Sequence, residues 1–313
     1  MTDRRTPERL QPGDPAPSKF TRTLIDELAK NDYQLHAWRT FMSQSWARSL
    51  GDIRASPSLT RSFLVSAGVY SVAGISLVLL SWWFHPHSVA VRSLAFWLPW
   101  YAASVAFVLT HLGMADSGDG VHQTRFLAPN QLSFMRLALA PLVVLPGLAM
   151  PAHPVTGPVF ALFIGAMSMS DALDGWAARR RGLCTRLGQM LDYLADLAFL
   201  TFLSVGLYLA AAIPGSLLWL LLVRYPLTVV GAMLLYLMRG PATLNPTFIG
   251  RATTLATSIV LLLIAFNLLL GAGWPPSLWV ERSVWWLQLL IGANIVYLIY
   301  RGVTWGKTKR VEN

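Results

Sequence analysis

The sequence predicts an all-α, polytopic membrane protein, and three observations carry that reading. Hydrophobic residues make up 54% of the 313 and charged residues only 13%, too few to cover soluble domains of this length. Eight apolar runs follow one another with no polar domain between the later six. Lys and Arg gather between alternate runs, the asymmetry that orients membrane spans. Length alone would allow two soluble domains, but the runs overrule that. The net charge of +10 would suit a nucleic-acid partner if it stood on a soluble surface. Here it flanks apolar runs, so it reads as topology signals and contacts with membrane lipids, and no nucleic acid is expected. Cys184 is the only cysteine, which excludes an intrachain disulfide and a thiolate metal cluster.

Residues 1–20 are rich in Pro, Arg and Asp and are expected to be disordered. From 21 to 50, Leu24, Leu28, Leu35, Trp38, Phe41, Met42 and Trp46 recur mostly at three- and four-residue steps among Arg22, Lys30, Arg39 and Arg48. That spacing predicts an amphipathic N-terminal helix, either on the membrane surface or against the protein's own cytosolic face. Ser56-Pro57-Ser58 ends it. The first apolar run begins only near Leu64, so no cleavable signal peptide is visible.

Phe63–Phe84 and Leu94–His111 are the first two spans. His85-Pro86-His87 joins them; two His without a third ligand nearby read as a solvated loop. Asp116-Ser117-Gly118-Asp119-Gly120 lacks the length and terminal Glu of a calcium loop and reads as a turn. Six more runs follow, at about 129–150, 158–179, 187–212, 215–238, 252–272 and 284–302. The expected organisation is an N-terminal extension over 1–120 with two transmembrane helices, a six-helix catalytic region over 121–305, and a basic cytoplasmic tail over 306–313.

With an even number of spans both termini share one side. All of the 25 Lys and Arg except Arg92, Arg224 and Arg282 fall there too, Arg136 among them as a flank of the third span. The termini and the basic turn at 179–186 are therefore expected to face the cytoplasm, in a bacterial inner membrane.

The chemistry concentrates in Asp171–Asp196, DALDGWAARRRGLCTRLGQMLDYLAD. An Asp at the centre of a membrane helix costs about 2.5–3.5 kcal/mol on insertion scales, and Asp171, Asp174, Asp192 and Asp196 lie among apolar runs. Asp171, Asp174 and Ala178 recur at i, i+3 and i+7 and share a helical face, as do Gly188, Asp192 and Asp196 at i, i+4 and i+8. The polar, Gly-containing stretch between them is a turn. If one helix ends near Arg180 and the next starts near Arg186, a rise of about 1.5 Å per residue brings the two pairs level across an antiparallel hairpin. Four carboxylates at one depth suit hard cations such as Mg²⁺ or Mn²⁺. Two such ions about 3.5–4 Å apart would clamp a phosphate and its leaving group.

The same stretch resembles the signature of the CDP-alcohol phosphotransferases, D-x-x-D-G-x-x-A-R-x8-G-x-x-x-D-x-x-x-D. Asp171, Asp174, Gly175, Ala178, Arg179, Gly188, Asp192 and Asp196 fill every fixed position. Pro129-Asn130-Gln131-Leu132-Ser133-Phe134-Met135-Arg136 is similar to the P-N-x-(I/L)-(S/T)-x-x-R segment that begins this family's core. The resemblance implies transfer of a phospho-group from a CDP-alcohol to an acceptor hydroxyl with release of CMP. It implies Mg²⁺ or Mn²⁺, two per site, on Asp171, Asp174, Asp192 and Asp196, with Asp196 also the catalytic base. CDP would be bound by Asn130, Gly175, Ala178, Arg179 and Gly188: the small residues admit the nucleotide close to the backbone, and Arg179 offers a planar donor set to phosphate oxygens. Without the resemblance, Asn130 reads equally as a helix N-cap and Arg136 as an interfacial anchor.

Arg224 lies well inside an apolar run, which makes it a functional-site residue by default: it binds an acceptor phosphate or pairs with one of the Asp. Arg251, in Phe248-Ile249-Gly250-Arg251-Ala252-Thr253-Thr254, weakly resembles the Gly-Lys-x-x-Thr segment of the phosphatidylglycerophosphate and cardiolipin synthase branch, with Arg for Lys. Otherwise it is a cytosolic flank of its span. The larger bacterial branch of the family uses CDP-diacylglycerol, so the resemblance implies that donor; the two cations favour a phosphorylated acceptor, glycerol 3-phosphate first, with phosphatidylglycerol or an inositol phosphate behind it. The resemblance also implies a homodimer.

Two other readings compete: a choline- or ethanolamine-phosphotransferase type using a soluble CDP-alcohol and diacylglycerol, and a cation or proton transporter. An ion path has no need of Gly175, Ala178, Arg179 and Gly188, which counts against the transporter.

Overall fold

The computed structural model describes residues 23–24, 27–28, 30–115, 123–145, 153–181, 185–239, 248–271 and 277–308; the expectations for 1–20, for the turn at 116–120 and for Cys184 lie outside them. Among the described residues the chain is all-α with no strand. The helices are α1 (Leu35–Ala55), α2 (Pro57–Phe84), α3 (His87–Thr110), α4 (Ala128–Leu139), α5 (Thr156–Arg181), α6 (Arg186–Leu209), α7 (Gly215–Arg239), α8 (Phe248–Leu270) and α9 (Ser277–Thr308).

Of the eight expected spans, α2, α3, α6, α8 and α9 each contain a helix long and apolar enough to cross a membrane, while α5 and α7 carry the shorter apolar stretches Thr156–Ser170 and Gly215–Tyr225. Val65, Val69, Val72 and Leu79 of α2 are about two-thirds exposed, a face that suits lipid rather than water.

The third run, expected as one span over 129–150, is not one uninterrupted α-helix over its described part, 129–145. Helix α4 stops at Leu139 and a 3₁₀ turn takes over from Ala140 to Val144. Pro141 is the cause: it has no N–H for the carbonyl four residues back, Leu137 O, and its ring crowds that oxygen. The freed carbonyls are taken up from outside the helix. Trp100 Nε1 of α3 donates to Leu137 O at 2.7 Å and Trp97 Nε1 to Ala138 O at 3.0 Å.

Helix α4 lies between α5 and α6, with α2 and α3 of the extension against its outer side. Phe63 of α2 makes edge-to-face contacts with Phe126 and Phe134, ring centroids 5.1 and 5.0 Å apart, and both Phe63 and Phe134 are fully buried. Helices α7, α8 and α9 close the bundle, α8 against α5 and α9 against α7 and α8.

Two expectations for the extension need correcting. The amphipathic helix expected over 21–50 is interrupted, because Asp32 and Tyr33 adopt φ of 48° and 55°, the left-handed region that ends a helix. Helix α1 then packs on α3 and the turn after it, while Leu35, Met42 and Trp46 remain well exposed on its other side. The His85-Pro86-His87 junction is not a solvated loop at its first residue. His85 is 8% exposed, its Nε2 lies 2.9 Å from Thr156 Oγ1 at the start of α5, and its ring sits 5.2 Å from that of His153. His153 Nδ1 in turn accepts from Val155 N and Thr156 N at 3.3 and 3.4 Å, capping α5. Burial first, and the neighbouring His153 second, hold the His85 imidazole below its ordinary pKa.

Candidate active site

The site begins with two helix starts placed side by side. Leu127 is extended and Pro129 sits in the first turn of α4, where its missing N–H costs nothing. Asn130 follows, 3% exposed. Across from it Thr185 caps α6, accepting from Gly188 N at 3.0 Å. Asn130 Nδ2 and Thr185 Oγ1 are 3.2 Å apart and join the two starts. Gly188 makes this approach possible, since a Cβ there would overlap the Asn130 amide oxygen and press on Thr185 Oγ1.

Asn130 is therefore not a helix cap; the cap position is Leu127, with no side-chain bond. Arg136 is not an interfacial anchor or a topology charge either. It is 2% exposed, with Nη2 2.6 Å from Asp192 Oδ1 and Nη1 3.0 Å from Asp196 Oδ1. Sequence periodicity put Gly188, Asp192 and Asp196 on one face of α6, and the structure turns that face to α4. Asn130 meets the first turn, Arg136 the next two, and the Val143 region meets Gly206, so α4 and α6 run in the same direction.

Arg136 holds one oxygen of each carboxylate, and Asp192 and Asp196 are 45% and 41% exposed. The pair thus combines a fixed edge with access from outside. Asp171, Asp174, Gly175, Ala178 and Arg179 stand on α5, which ends at Arg181 as the turn expectation requires; their side chains lie outside the described residues. The expected levelling of the two Asp pairs therefore rests on backbone spacing. Among the described residues no three His, Cys, Asp or Glu cluster as metal ligands. The donor set itself, two half-exposed carboxylates, fits a hard divalent cation.

Arg224 of α7 is 5% exposed. Its Nη2 donates to Thr254 Oγ1 at 2.8 Å and to Gly250 O at 3.3 Å, at the start of α8, while Nη1 is buried without a hydrogen-bond partner. It pairs with neither described Asp. Its guanidinium carbon stands 5.7 Å from the centre of the neighbouring Tyr225 ring. Arg251 occupies the same turn of α8 but is exposed. The structure thus brings Arg224 to the Gly250–Thr254 segment and leaves Arg251 at its surface.

Sequence reasoning missed two residues here. Thr185 was legible as a Thr directly before a helical apolar pattern. Arg136 was quoted within a motif, but nothing local shows that a side chain six residues after Asn130 spans Asp192 and Asp196.

A helical bundle with five helices long and apolar enough to cross a membrane, enclosing a carboxylate pair and two buried Arg, defines an integral membrane protein with a charged internal site. Residues 126–297 match the CDP-alcohol phosphatidyltransferase family model, and the chain belongs to that family, whose work is phospholipid biosynthesis. Among curated relatives, the CDP-diacylglycerol–glycerol-3-phosphate 3-phosphatidyltransferase of Aquifex aeolicus is 34% identical over 136 residues, 43% of this chain and 72% of that protein. The CMP-forming cardiolipin synthase of Streptomyces coelicolor is 33% identical over 187 residues, 55% of this chain and 83% of that protein. The CDP-diacylglycerol–serine O-phosphatidyltransferase of Mycobacterium leprae is 33% identical over 122 residues, 37% of this chain and 41% of that protein. No solved structure matches the chain.

Proposed function

We propose that the protein transfers a phosphatidyl group from CDP-diacylglycerol to the primary hydroxyl of glycerol 3-phosphate, releasing CMP. The observation that carries this is Arg224, a buried guanidinium with one nitrogen unpartnered, held at the Gly250–Thr254 start of α8. A phosphorylated acceptor supplies the anion that such a group lacks. The Aquifex relative's named substrate is of that kind.

In this reading Asp171, Asp174, Asp192 and Asp196 hold Mg²⁺ or Mn²⁺, two per site. Bound there, the ions neutralise pyrophosphate charge and stabilise the departing CMP. Asn130, Gly175, Ala178, Arg179 and Gly188 form the CDP pocket. Arg136 fixes the orientation of Asp192 and Asp196, and Arg179 donates to phosphate oxygens. Asp196 accepts the acceptor's hydroxyl proton. The hydroxyl oxygen then bonds to the phosphorus bearing the diacylglycerol, and the bond from that phosphorus to the oxygen of CMP breaks, so the electron pair leaves with CMP. Arg224, with Arg251 at the rim, binds the acceptor phosphate.

The catalytic region is 121–305, the extension 1–120 and the tail 306–313. The site and both termini face the cytoplasm of a bacterial inner membrane, and the enzyme is a homodimer. A second acceptor, phosphatidylglycerol, is favoured by one observation: the Streptomyces cardiolipin synthase aligns over more of this chain than the Aquifex enzyme does.

The test is CMP release by purified protein with CDP-diacylglycerol and Mg²⁺ or Mn²⁺, offered glycerol 3-phosphate, phosphatidylglycerol or an inositol phosphate, with Asp196→Asn alongside. Release that needs glycerol 3-phosphate and vanishes in the variant supports the reading. Release only with phosphatidylglycerol replaces the acceptor. Turnover of CDP-choline with diacylglycerol and none of CDP-diacylglycerol overturns the donor.

A further inference from the structure

Pro141 breaks the helix that carries Arg136, and the N-terminal extension takes up the break. Trp100 supplies to Leu137 O the hydrogen bond that Pro141 cannot, and Trp97 donates to the next carbonyl, Ala138 O. Both indoles are held by their surroundings. Trp97 is 1% exposed and seated on Gly74, where a Cβ would overlap its ring. The Trp100 ring stands edge-on to Phe202 of α6, centroids 4.9 Å apart. From the other side α6 presents Gly206, where a Cβ would lie 3.2 Å from Val143 O and Val144 Cα. The 3₁₀ segment is thus gripped between α3 and the backbone of α6, and Leu137, the residue bonded to Trp100, directly follows Arg136.

We propose that Trp97 and Trp100 are positioning residues of the active site: by bonding the carbonyl end of α4 they set the depth and rotation at which Arg136 meets Asp192 and Asp196. The extension, which lies outside the matched 126–297, is on this view part of the catalytic apparatus and not a separate anchor. The inference rests on the proposed function in one respect, that the Asp192–Asp196 face is the reacting site.

The experiment uses the full-length, metal-free protein in detergent. Two changes are made at position 100: Trp100→Phe, and the benzothiophene analogue of tryptophan, which keeps the ring and removes only the N–H. Hydrogen–deuterium exchange is followed in peptides covering 130–139 and 186–196, with and without Arg136→Ala, and CMP release is measured on the same preparations once Mg²⁺ or Mn²⁺ and CDP-diacylglycerol are added. One lost buried hydrogen bond predicts about tenfold faster exchange in 130–139. Exchange in 186–196 also accelerates, but only while Arg136 is present, because the effect passes through that side chain. CMP release falls about fivefold or more in step with it. Unchanged exchange in 130–139, acceleration confined to that peptide, or an equal effect on 186–196 in the Arg136→Ala background would each overturn the proposal. If the unaltered enzyme releases no CMP from any donor, the reaction assignment fails, and the two exchange readouts, repeated with the same two changes at Trp97, still decide whether each tryptophan positions Arg136.

Discussion

Arg136 Nη2 lies 2.6 Å from Asp192 Oδ1 while Nη1 of the same side chain lies 3.0 Å from Asp196 Oδ1, so one buried guanidinium sets the separation of two carboxylates a helical turn apart. Arg136→Ala removes the guanidinium that bridges those carboxylates. Breaking a buried pair costs about 3–5 kcal/mol, and solvent screening of the half-exposed carboxylates puts this loss at or below the lower end. A drop in thermal midpoint is expected, with CMP release reduced at least ~100-fold, about 2.7 kcal/mol of transition-state stabilisation. Arg136→Lys keeps the charge but cannot reach both oxygens in one plane, so its activity falls between the two. Equal activity of Arg136→Ala and the unaltered enzyme would refute the role.

Gly188→Ala places a methyl group against the Asn130 amide and Thr185 Oγ1, which are bonded to each other and cannot both retreat. Overpacking of this kind costs about 1–3 kcal/mol, visible as a lower thermal midpoint, and CMP release falls with it. Adding Asn130→Ala removes the obstructing oxygen and is expected to restore stability but not activity. Failure of the double variant to recover stability would show that the close approach is not what Gly188 provides.

Arg224→Gln removes the charge and keeps an amide donor, on a side chain too short to reproduce both bonds of Nη2 to Thr254 and Gly250. Steady-state kinetics are expected to show a KM for glycerol 3-phosphate raised ~10-fold or more, equivalent to ~1.4 kcal/mol of lost binding, with the KM for CDP-diacylglycerol little changed. A selective rise in the donor KM instead would move Arg224 to the nucleotide side.

His85 gives a pH dependence on the opposite face. Its folded pKa is lowered by burial and by His153, whereas the unfolded residue titrates near ~6.5. Between those values the unfolded chain binds more protons, so stability is present above about pH 6.5 and is lost as pH falls through the window below it. The thermal midpoint is expected to drop between pH 7.5 and pH 5.5, and His85→Gln to flatten that drop. The groups facing His85 are His153 and Thr156, so His153→Gln serves as the control for its contribution. An unaltered slope in both variants would assign the pH dependence elsewhere.

Much of the fold was legible because the bilayer imposes strong local rules. Apolar run lengths located α2, α3, α6, α8 and α9, and the basic turn correctly separated α5 from α6. The third run misled because hydropathy is blind to a single proline: Pro141 is as apolar as its neighbours, yet it removes one N–H and ends the helix. His85 misled in the same way, since a polar residue beside Pro86 reads as solvated until His153 and Thr156 are brought to it from 68 or more residues away. Within the site, the spacing of Gly188, Asp192 and Asp196 fixed their shared face of α6. It could not reveal what that face meets.

By itself, then, the sequence determined the class, the helical membrane bundle, the family and the acidic motif, because each follows from composition or from spacing along one chain segment. Only the tertiary structure decided that Arg136 is the counter-ion of Asp192 and Asp196, that Asn130 fills the space Gly188 leaves open, and that Trp97 and Trp100 complete a helix broken by Pro141. Those are contacts between residues tens of positions apart. Sequence periodicity orients a face about its own axis but carries no term for the helix packed against it.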